Sequence, residues 1–529
     1  MTAFTCPHCG GPIAFDPAAD AMNCPYCDSI ISVEDYREFL APHGRLLLNE
    51  LSCPQCGAQL LTTDVTAATF CSYCGSSVAL DSRLVEEDRP DTIIPFKISK
   101  AKAENIYRQK IHRTLLAPDW MEDPENTAHF RGIYMPFHVF TYDWKGTWEG
   151  TESETSVRRI KGVEYDVTRT YDIGANVDVH YDYIPQDASA AFPDAMSRAV
   201  CPYKRKDERA FELPYYAGYY ADRGDVDASL YEERYATLVK EDAAKGTLDC
   251  GPVKMDAGKA TRNMELTPSR KRAMFPVWFL SIRNRDRVNY ACVNGSSGEL
   301  VCDIPIDFKK YLKAAIIVAG LFSLVLNLFL TLRPDNMLVV TSALALAVFV
   351  IANSLLNSTY RRVNRLDDPG YTGHDADQVV ERKRWALFLE AVWKIVLATL
   401  GCFGLILVLT FFDFDDDTLV LITGGVVLFW FGYVIWAFVR AGTQPTGMQI
   451  RTRRTPLGYK VFVLCKPVLA LAVAVVVIAA WPSVDEVCYA AALFNILMIC
   501  WTAFDVVRTQ NRFTMRDLPL FNEKRGGEA

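Results

Sequence analysis

Histidine is scarce in this chain: seven among 529 residues, at positions 8, 43, 112, 129, 138, 180 and 374, with no two at metal-ligand spacing. That excludes zinc centres of the H-E-x-x-H kind. The sequence also lacks G-x-x-x-x-G-K-[ST], G-x-S-x-G and G-x-G-x-x-G, so it offers no P-loop, nucleophile elbow or dinucleotide fingerprint. Positive charge is in deficit: 56 Lys and Arg against 63 Asp and Glu leave a net charge of −7. A chain that is basic overall, as many nucleic-acid binders are, is excluded. Residues 1–7 hold no basic stretch running into an apolar one, so no secretory signal is expected. Asp166, Asp172, Asp178 and Asp182 recur at even spacing and read as one exposed strand face, not as a catalytic dyad. The chain is expected not to be an enzyme.

Cysteine, by contrast, is abundant and ordered. Eight of the sixteen cysteines form four C-x-x-C units: Cys6/Cys9, Cys24/Cys27, Cys53/Cys56 and Cys71/Cys74. Within each half 14 residues separate the inner pair, and the whole set recurs 47 positions later. Gly10 against Gly57, Ile13 against Leu60 and Ile31 against Val78 repeat with it, which marks an internal duplication. Two C-x-x-C turns joined by a short hairpin can set four thiolates around a zinc ion at ~2.3 Å. Modules this small bury too little apolar surface to fold alone, and metal binding would supply on the order of 10 kcal/mol or more. Two tandem four-cysteine zinc ribbons with two Zn2+ ions are therefore expected, with His8 solvent-facing and outside the ligand set. Residues 1–80 carry two positive and eight negative side chains, a net −6. Such a surface repels phosphate and favours a protein partner over nucleic acid.

Past residue 312 the hydropathy changes character. A helix crossing a ~30 Å hydrocarbon core needs roughly 20 apolar residues, and six runs approach that length: 312–332, 337–356, 392–412, 418–439, 461–481 and 487–507. They predict three helical hairpins in a lipid bilayer. Lys309, Lys310 and Lys313 precede the first run. Arg361, Arg362, Arg365, Arg382, Lys383 and Arg384 fall between the second and third. Arg440, Arg451, Arg453, Arg454 and Lys460 fall between the fourth and fifth, and Arg508, Arg512, Arg516, Lys524 and Arg525 follow the last. The three remaining loops hold one basic residue, Arg333, so the positive-inside rule puts both termini in the cytoplasm. Thiols there stay reduced. Lys394, Lys466 and Asp505 lie near the inner face, where Lys can snorkel. Asn327, Asn353 and Asn495 lie deeper and suit interhelical hydrogen bonds. The spans read as an anchor; a transporter or channel-like protein is the alternative.

Residues 91–308 alternate in Tyr, Val and Thr over 132–142, 165–171 and 176–183, as strands do. A helix is expected after Ser99 as far as residue 116, and another after Asp225 to about 244. The stretch 134–142 echoes 274–282, each entered through a proline (Pro136, Pro276), which places them at edges or strand entries. An α+β domain with two related antiparallel meanders is expected, joined by a helical segment over 193–244. Cys292 and Cys302 flank a hairpin and are expected as thiols. The organisation that emerges is multidomain: ribbon 1 at 1–36, ribbon 2 at 48–82, an α+β cytoplasmic domain at 91–308, a six-helix transmembrane bundle at 312–507 and a cytoplasmic tail at 508–529. In the tail, Leu518, Leu520 and Phe521 form a candidate linear docking motif.

The paired C-P-x-C-G ribbons, the phrase Arg131-Gly132-Ile133-Tyr134-Met135-Pro136-Phe137, the hairpin over 290–303 with Val293-Asn294-Gly295, and the terminal apolar runs together resemble a bacterial family. Its members are zinc-ribbon multi-pass membrane proteins, often labelled primosomal or TFIIB-type zinc ribbon. Cys27-Asp28 departs from the glycine usual in that family's knuckle. The resemblance implies a bacterial inner-membrane protein that helps hold an SPFH-domain (virion-core-like) partner, near phage-shock proteins. It implies a non-enzymatic scaffold or adaptor in a membrane-integrity or envelope-stress complex, with homo- or hetero-oligomers open. A membrane-tethered nucleic-acid binder is the further alternative.

Overall fold

The computed structural model describes residues 4–40, 45–63, 70–77, 80–160, 163–245, 247–249, 254–262, 264–285, 287–329, 334–364, 378–382, 430, 433, 447–451, 457–480, 484–517 and 519. A three-stranded antiparallel sheet opens the chain, β1 (Ala14–Asp16), β2 (Ala21–Asn23) and β3 (Ile30–Ile31), followed by α1 (Val33–Arg37). Ser32 caps α1 by accepting from the Asp35 amide at 3.0 Å, satisfying one of the unpaired donors at a helix start. Next come β4 (Arg45–Ser52), β5 (Gln59–Thr62), β6 (Asp81–Asp88), β7 (Thr92–Ile93), α2 (Lys100–His112) and α3 (Pro124–Thr127). Ser99 caps α2, whose Ala103, Tyr107 and Ile111 recur every fourth residue and bury one helix face in the core. The long β8 (Arg131–Ile160) and β9 (Val163–Asp187) follow, then α4 (Asp194–Val200), β10 (Arg209–Ala210), β11 (Tyr220–Asp222) and α5 (Ser229–Ala243). A small hairpin of β12 (Thr247–Asp249) and β13 (Lys254–Asp256) leads into α6 (Ala257–Ala260), and β14 (Pro268–Asn284), β15 (Arg287–Asn294) and β16 (Leu300–Cys302) follow.

Twelve strands form one sheet, with the central path β10-β7-β14-β8-β11-β5-β4-β6. β8 and β14 pair antiparallel at its centre, from Arg131↔Phe279 to Tyr142↔Pro268. The two echoing segments of the sequence are thus neighbours in space. Each central strand meets a short parallel strand first and its own hairpin partner afterwards. β8 takes β11 at Ile133 and Tyr134 and then β9 from Phe137; β14 takes β7 at Ala273 and Met274 and then β15 from Val277. Pro136 and Pro276 sit at these two handovers. They lie mid-sheet, not at an edge or a strand entry. The missing N–H does no harm there, because no partner strand faces it, while each carbonyl is used: Pro136 O accepts from Ala188 N and Pro276 O from Gly295 N, both at 2.8 Å. In chain order each half runs short strand, helix, long strand, hairpin partner, and each short strand pairs with the other half's long strand.

The remaining described elements are α7 (Phe308–Phe329), α8 (Pro334–Asn364), β17 (Gln378–Arg382), β18 (Gly447–Arg451), α9 (Leu457–Ala480), α10 (Asp485–Thr514) and β19 (Arg516–Asp517). The expected six-helix transmembrane bundle is corrected here. Among the described residues two helices are long and apolar enough to cross a membrane, Met337–Thr359 and Asp485–Thr514, and Phe462–Ile478 is a shorter apolar helix. In α7 the cations Lys309, Lys310 and Lys313 fill the first turns, so the apolar part starts only at Ala314. In α9 Lys466 and Pro467 interrupt the apolar run. Among the described residues, unbroken apolar spans of roughly 20 residues are thus fewer than the apolar runs in the sequence suggest. The runs expected at 392–412 and 418–439, with Lys394, lie outside the described residues. The helices α8, α9 and α10 pack together, burying Leu338, Ala474, Ala491 and Ala492 while Val350, Ile351, Leu493, Leu497 and Trp501 stay exposed.

Candidate metal centres

Four knuckles share one local geometry. In each, the amide of the residue after the second cysteine closes a turn on the first cysteine: Gly10 N donates to Cys6 O at 2.8 Å, Asp28 N to Cys24 O at 2.9 Å, Gly57 N to Cys53 O at 2.8 Å and Gly75 N to Cys71 O at 3.1 Å. All four closing residues have positive φ, +74° at Gly10, +54° at Asp28, +75° at Gly57 and +68° at Gly75. The first cysteine of each turn then donates its own amide onward, Cys6 N to Gly11 O, Cys24 N to Ser29 O, Cys53 N to Ala58 O and Cys71 N to Ser76 O. Asp28 makes the same turn as the glycines, because Asp tolerates the left-handed region better than most residues.

These turns bring the eight cysteines into two tetrads, Cys6/Cys9/Cys24/Cys27 and Cys53/Cys56/Cys71/Cys74, the sulfurs of each within 4.8 Å of one another. Closest approaches are 3.7 Å for Cys6–Cys27, 3.5 Å for Cys9–Cys24, 3.8 Å for Cys53–Cys74 and 3.7 Å for Cys56–Cys71. A tetrahedron of thiolates at ~2.3 Å from zinc has edges of about 3.8 Å, so the sulfurs already sit at ligand spacing. None of the eight forms a disulfide. His8 is exposed and outside the first tetrad. Four sulfurs crowded together cannot all ionise without a cation. In the second tetrad hydrogen bonds from Cys56, Cys71 and Cys74 drive Cys53 far below the usual thiol range, while Cys53 and its neighbours drive Cys56 far above it. A dication removes that conflict. Four thiolates fill a tetrahedral shell and leave no position for water or substrate, so the chemistry fits structural rather than catalytic metal.

Two hydroxyls stand beside the sulfurs that sequence reasoning passed over. Ser29 Oγ lies 3.2 Å from both Cys6 Sγ and Cys27 Sγ, and Ser76 Oγ lies 2.8 Å from Cys74 Sγ. The Ser29 hydroxyl is the main reason the Cys6 thiol is lowered to about 6. Both serines occupy the same place in the 47-residue repeat, the signal that could have found them. Such outer partners orient ligands and tune the metal.

The two centres differ in their surroundings. In the first, Cys9 and Cys27 are exposed; in the second all four cysteines are buried. The first module rests on β10 and the segment after it: Phe15 packs edge-on to Tyr215 at 5.1 Å, Phe15 N donates to Ala217 O, and Arg209 pairs with Asp20 at 2.7 Å. The second is built into the large sheet through β4 and β5. Tyr73, between two ligands, is fully buried and donates to Asp222 Oδ2 at 2.7 Å, while Tyr290 donates to Tyr73 O at 2.8 Å. Asp222 also accepts from the Ser189 hydroxyl. Burial, with help from Asp225, lifts the Asp222 carboxyl to about 7.

The other residues singled out by sequence divide as follows. Cys292 and Cys302 are free thiols; Cys292 faces Val301 and Cys302 faces Ala291, so the strands do not bring them opposite each other. Asp166, Asp172 and Asp178 are exposed along β9, whereas Asp182 is half-buried and accepts from the Thr141 hydroxyl at 2.8 Å. Lys466 does not snorkel: it is buried, paired with Asp505, and capped by the Phe462 and Trp501 rings at 4.1 and 4.8 Å. Asn495 is buried and donates to Ser342 Oγ at 3.1 Å. Arg516 and Asp517 pair antiparallel with β15 as β19; Leu518, Leu520 and Phe521 lie outside the residues whose structure is described.

Over 319 residues the chain is 31% identical to the "Uncharacterized protein YdjG" of Bacillus subtilis (strain 168), a match that spans 59% of this chain and 92% of that protein. The chain belongs to the YdjG family. No protein-family model matches it, and no solved structure does. This member of the YdjG family carries two four-cysteine clusters compatible with zinc ribbons, and helices apolar enough for a membrane.

Proposed function

We propose that this YdjG-family protein is a membrane-anchored docking protein that acts by binding, not catalysis, and that each tetrad holds one Zn2+. The observation that carries this reading is the unequal setting of the two tetrads. The buried one is part of the sheet and serves as a rivet. The first stands on the surface with two ligands in solvent, and its module presents exposed Tyr26, Ile30 and Phe39 among acidic residues. Exposed apolar side chains on a rigid, anionic module suit a protein partner better than nucleic acid. The apolar helices α8 and α10 would fix the module at the bacterial inner membrane, with the ribbons in the cytoplasm, where thiols stay reduced. An SPFH-type membrane-organising protein is the partner class that the family resemblance implies.

The test is affinity capture from detergent extract with the full chain and a Tyr26→Ser/Ile30→Ser/Phe39→Ser variant. These side chains are exposed, so the variant retains its fold and its zinc. Loss of an SPFH-type protein from the variant's captured set is expected. An unchanged set would remove the first ribbon from the docking role.

A further inference from the structure

β8 and β9 form a hairpin far longer than the sheet that roots it. β14 accompanies β8 only as far as Tyr142, yet β8 runs on to Ile160, paired only with β9 among the described residues. At ~3.3 Å per residue this arm reaches about 60 Å. Its register sorts the side chains. Trp144, Trp148, Glu152, Glu154, Ser156 and Arg158 share one face with their partners Val179, Ala175, Tyr171, Arg169, Val167 and Tyr165. Near the root this face is covered: Val179 is buried with the α5 residues Tyr231 and Val239. Trp144 lies over Gly146 and Trp148 over Gly150, leaving no room for a Cβ at either. Further out Lys259 pairs with Glu152. From Ser153 to Arg159 every residue of β8 is exposed, Val157 at 64%.

An isolated two-stranded ribbon is marginal in water, and an open strand edge is a template for pairing. Proteins that keep such an edge unpaired protect it with proline, charged side chains (lysine above all) or a bulge. Glu152-Ser153-Glu154-Thr155-Ser156-Val157-Arg158-Arg159 has neither proline nor lysine, and the ladder shifts register only between Phe140 and Tyr142. Its charge is polarised instead, acidic toward the root and basic toward the tip. Parallel stacking of copies would set Glu on Glu and Arg on Arg. Antiparallel pairing about Ser156 sets Glu154 opposite Arg158 of a second copy and Arg158 opposite its Glu154. In cis Glu154 already faces Arg169, so each carboxylate would lie between two guanidinium groups. No like charges meet in that register.

We propose that the free edge of β8 pairs with the same edge of a second copy, antiparallel and centred on Ser156, joining two arms into one four-stranded ribbon. The contact is isologous: it closes at two chains and leaves no growing end on that edge. This goes beyond the docking function, because it concerns self-association through an element far from the metal centres in sequence.

The test uses the zinc-loaded full chain in detergent. Ser156→Cys puts its own two copies on the symmetry axis, with Cα atoms about 4.5–5.5 Å apart, inside the disulfide range of about 4.4–6.8 Å. Mild oxidation should then yield a cross-linked dimer well above the background that the exposed cysteines of the unmodified chain give. Thr151→Cys puts its two copies about 33 Å apart and should not cross-link. Arg158→Glu should raise the dimer dissociation constant about tenfold, as two ion pairs become like-charge contacts, and Glu154→Arg/Arg158→Glu/Arg169→Glu together, which also reverses the charge facing residue 154 within the arm, should restore dimer. Light-scattering mass reads both. A monomer for the unmodified chain, equal cross-linking at both positions, or assemblies larger than two would overturn the pairing. None of these results bears on partner capture by the first ribbon.

Discussion

Tyr73 stands between two sulfur ligands and ends on Asp222, a carboxyl buried beside the large sheet. This hydrogen bond links the second ribbon to β11 and carries a pH dependence. The Asp222 carboxyl titrates at about 7 in the folded chain and near 3.9 when unfolded. Between those values the native state holds a proton that the unfolded state has released. The contribution of Asp222 to stability is therefore full below about pH 4, falls as pH rises toward 7, and carries the full penalty above 7. Asp222→Asn should flatten that fall, gaining on the order of 2–4 kcal/mol at about pH 8 relative to about pH 5. Thermal melts of both chains across this range check it, and parallel profiles would contradict it. The eight cysteines were legible because knuckle chemistry is local: type, spacing and turn lie within a few residues. Asp222 was not, since nothing nearby in the chain announces a partner 149 positions away. Ser29 and Ser76 fall between: each is a common residue, and only the duplication marks them.

Among the elements, α9 and α10 are joined by the buried Lys466–Asp505 pair. Removing one charge leaves the other unpaired in an apolar setting, whereas removing both need not. Lys466→Met or Asp505→Leu alone should destabilise the helix packing by about 3–5 kcal/mol, and the double variant should recover most of that. Unfolding in graded denaturing detergent measures the cycle; additive losses would show that the pair is not coupled. The helix after Ser99 was legible from its cap, and α5 from its start after Asp225 and its end near residue 244. The handover prolines were not. A proline in a strand run normally marks an edge, and only the tertiary pairing of β8 with β14 creates mid-sheet positions with no neighbour facing the missing N–H. Apolar runs were legible as membrane-like, but hydropathy alone does not separate an unbroken span from a run divided by Lys466 and Pro467.

At the scale of the whole molecule, two four-cysteine modules, a duplicated sheet with swapped short strands, a long arm and a group of apolar helices share one chain. One tetrad lies inside the sheet and the other stands in solvent, so they should respond differently to loss of a ligand. The account rests on both being occupied. Elemental mass spectrometry of the purified full chain, with protein concentration from amino-acid analysis, measures this most directly. Two zinc ions per chain are predicted, falling to one in Cys9→Ser while the sheet stays folded. A folded chain with all eight thiols intact and a zinc ratio near zero would contradict the account.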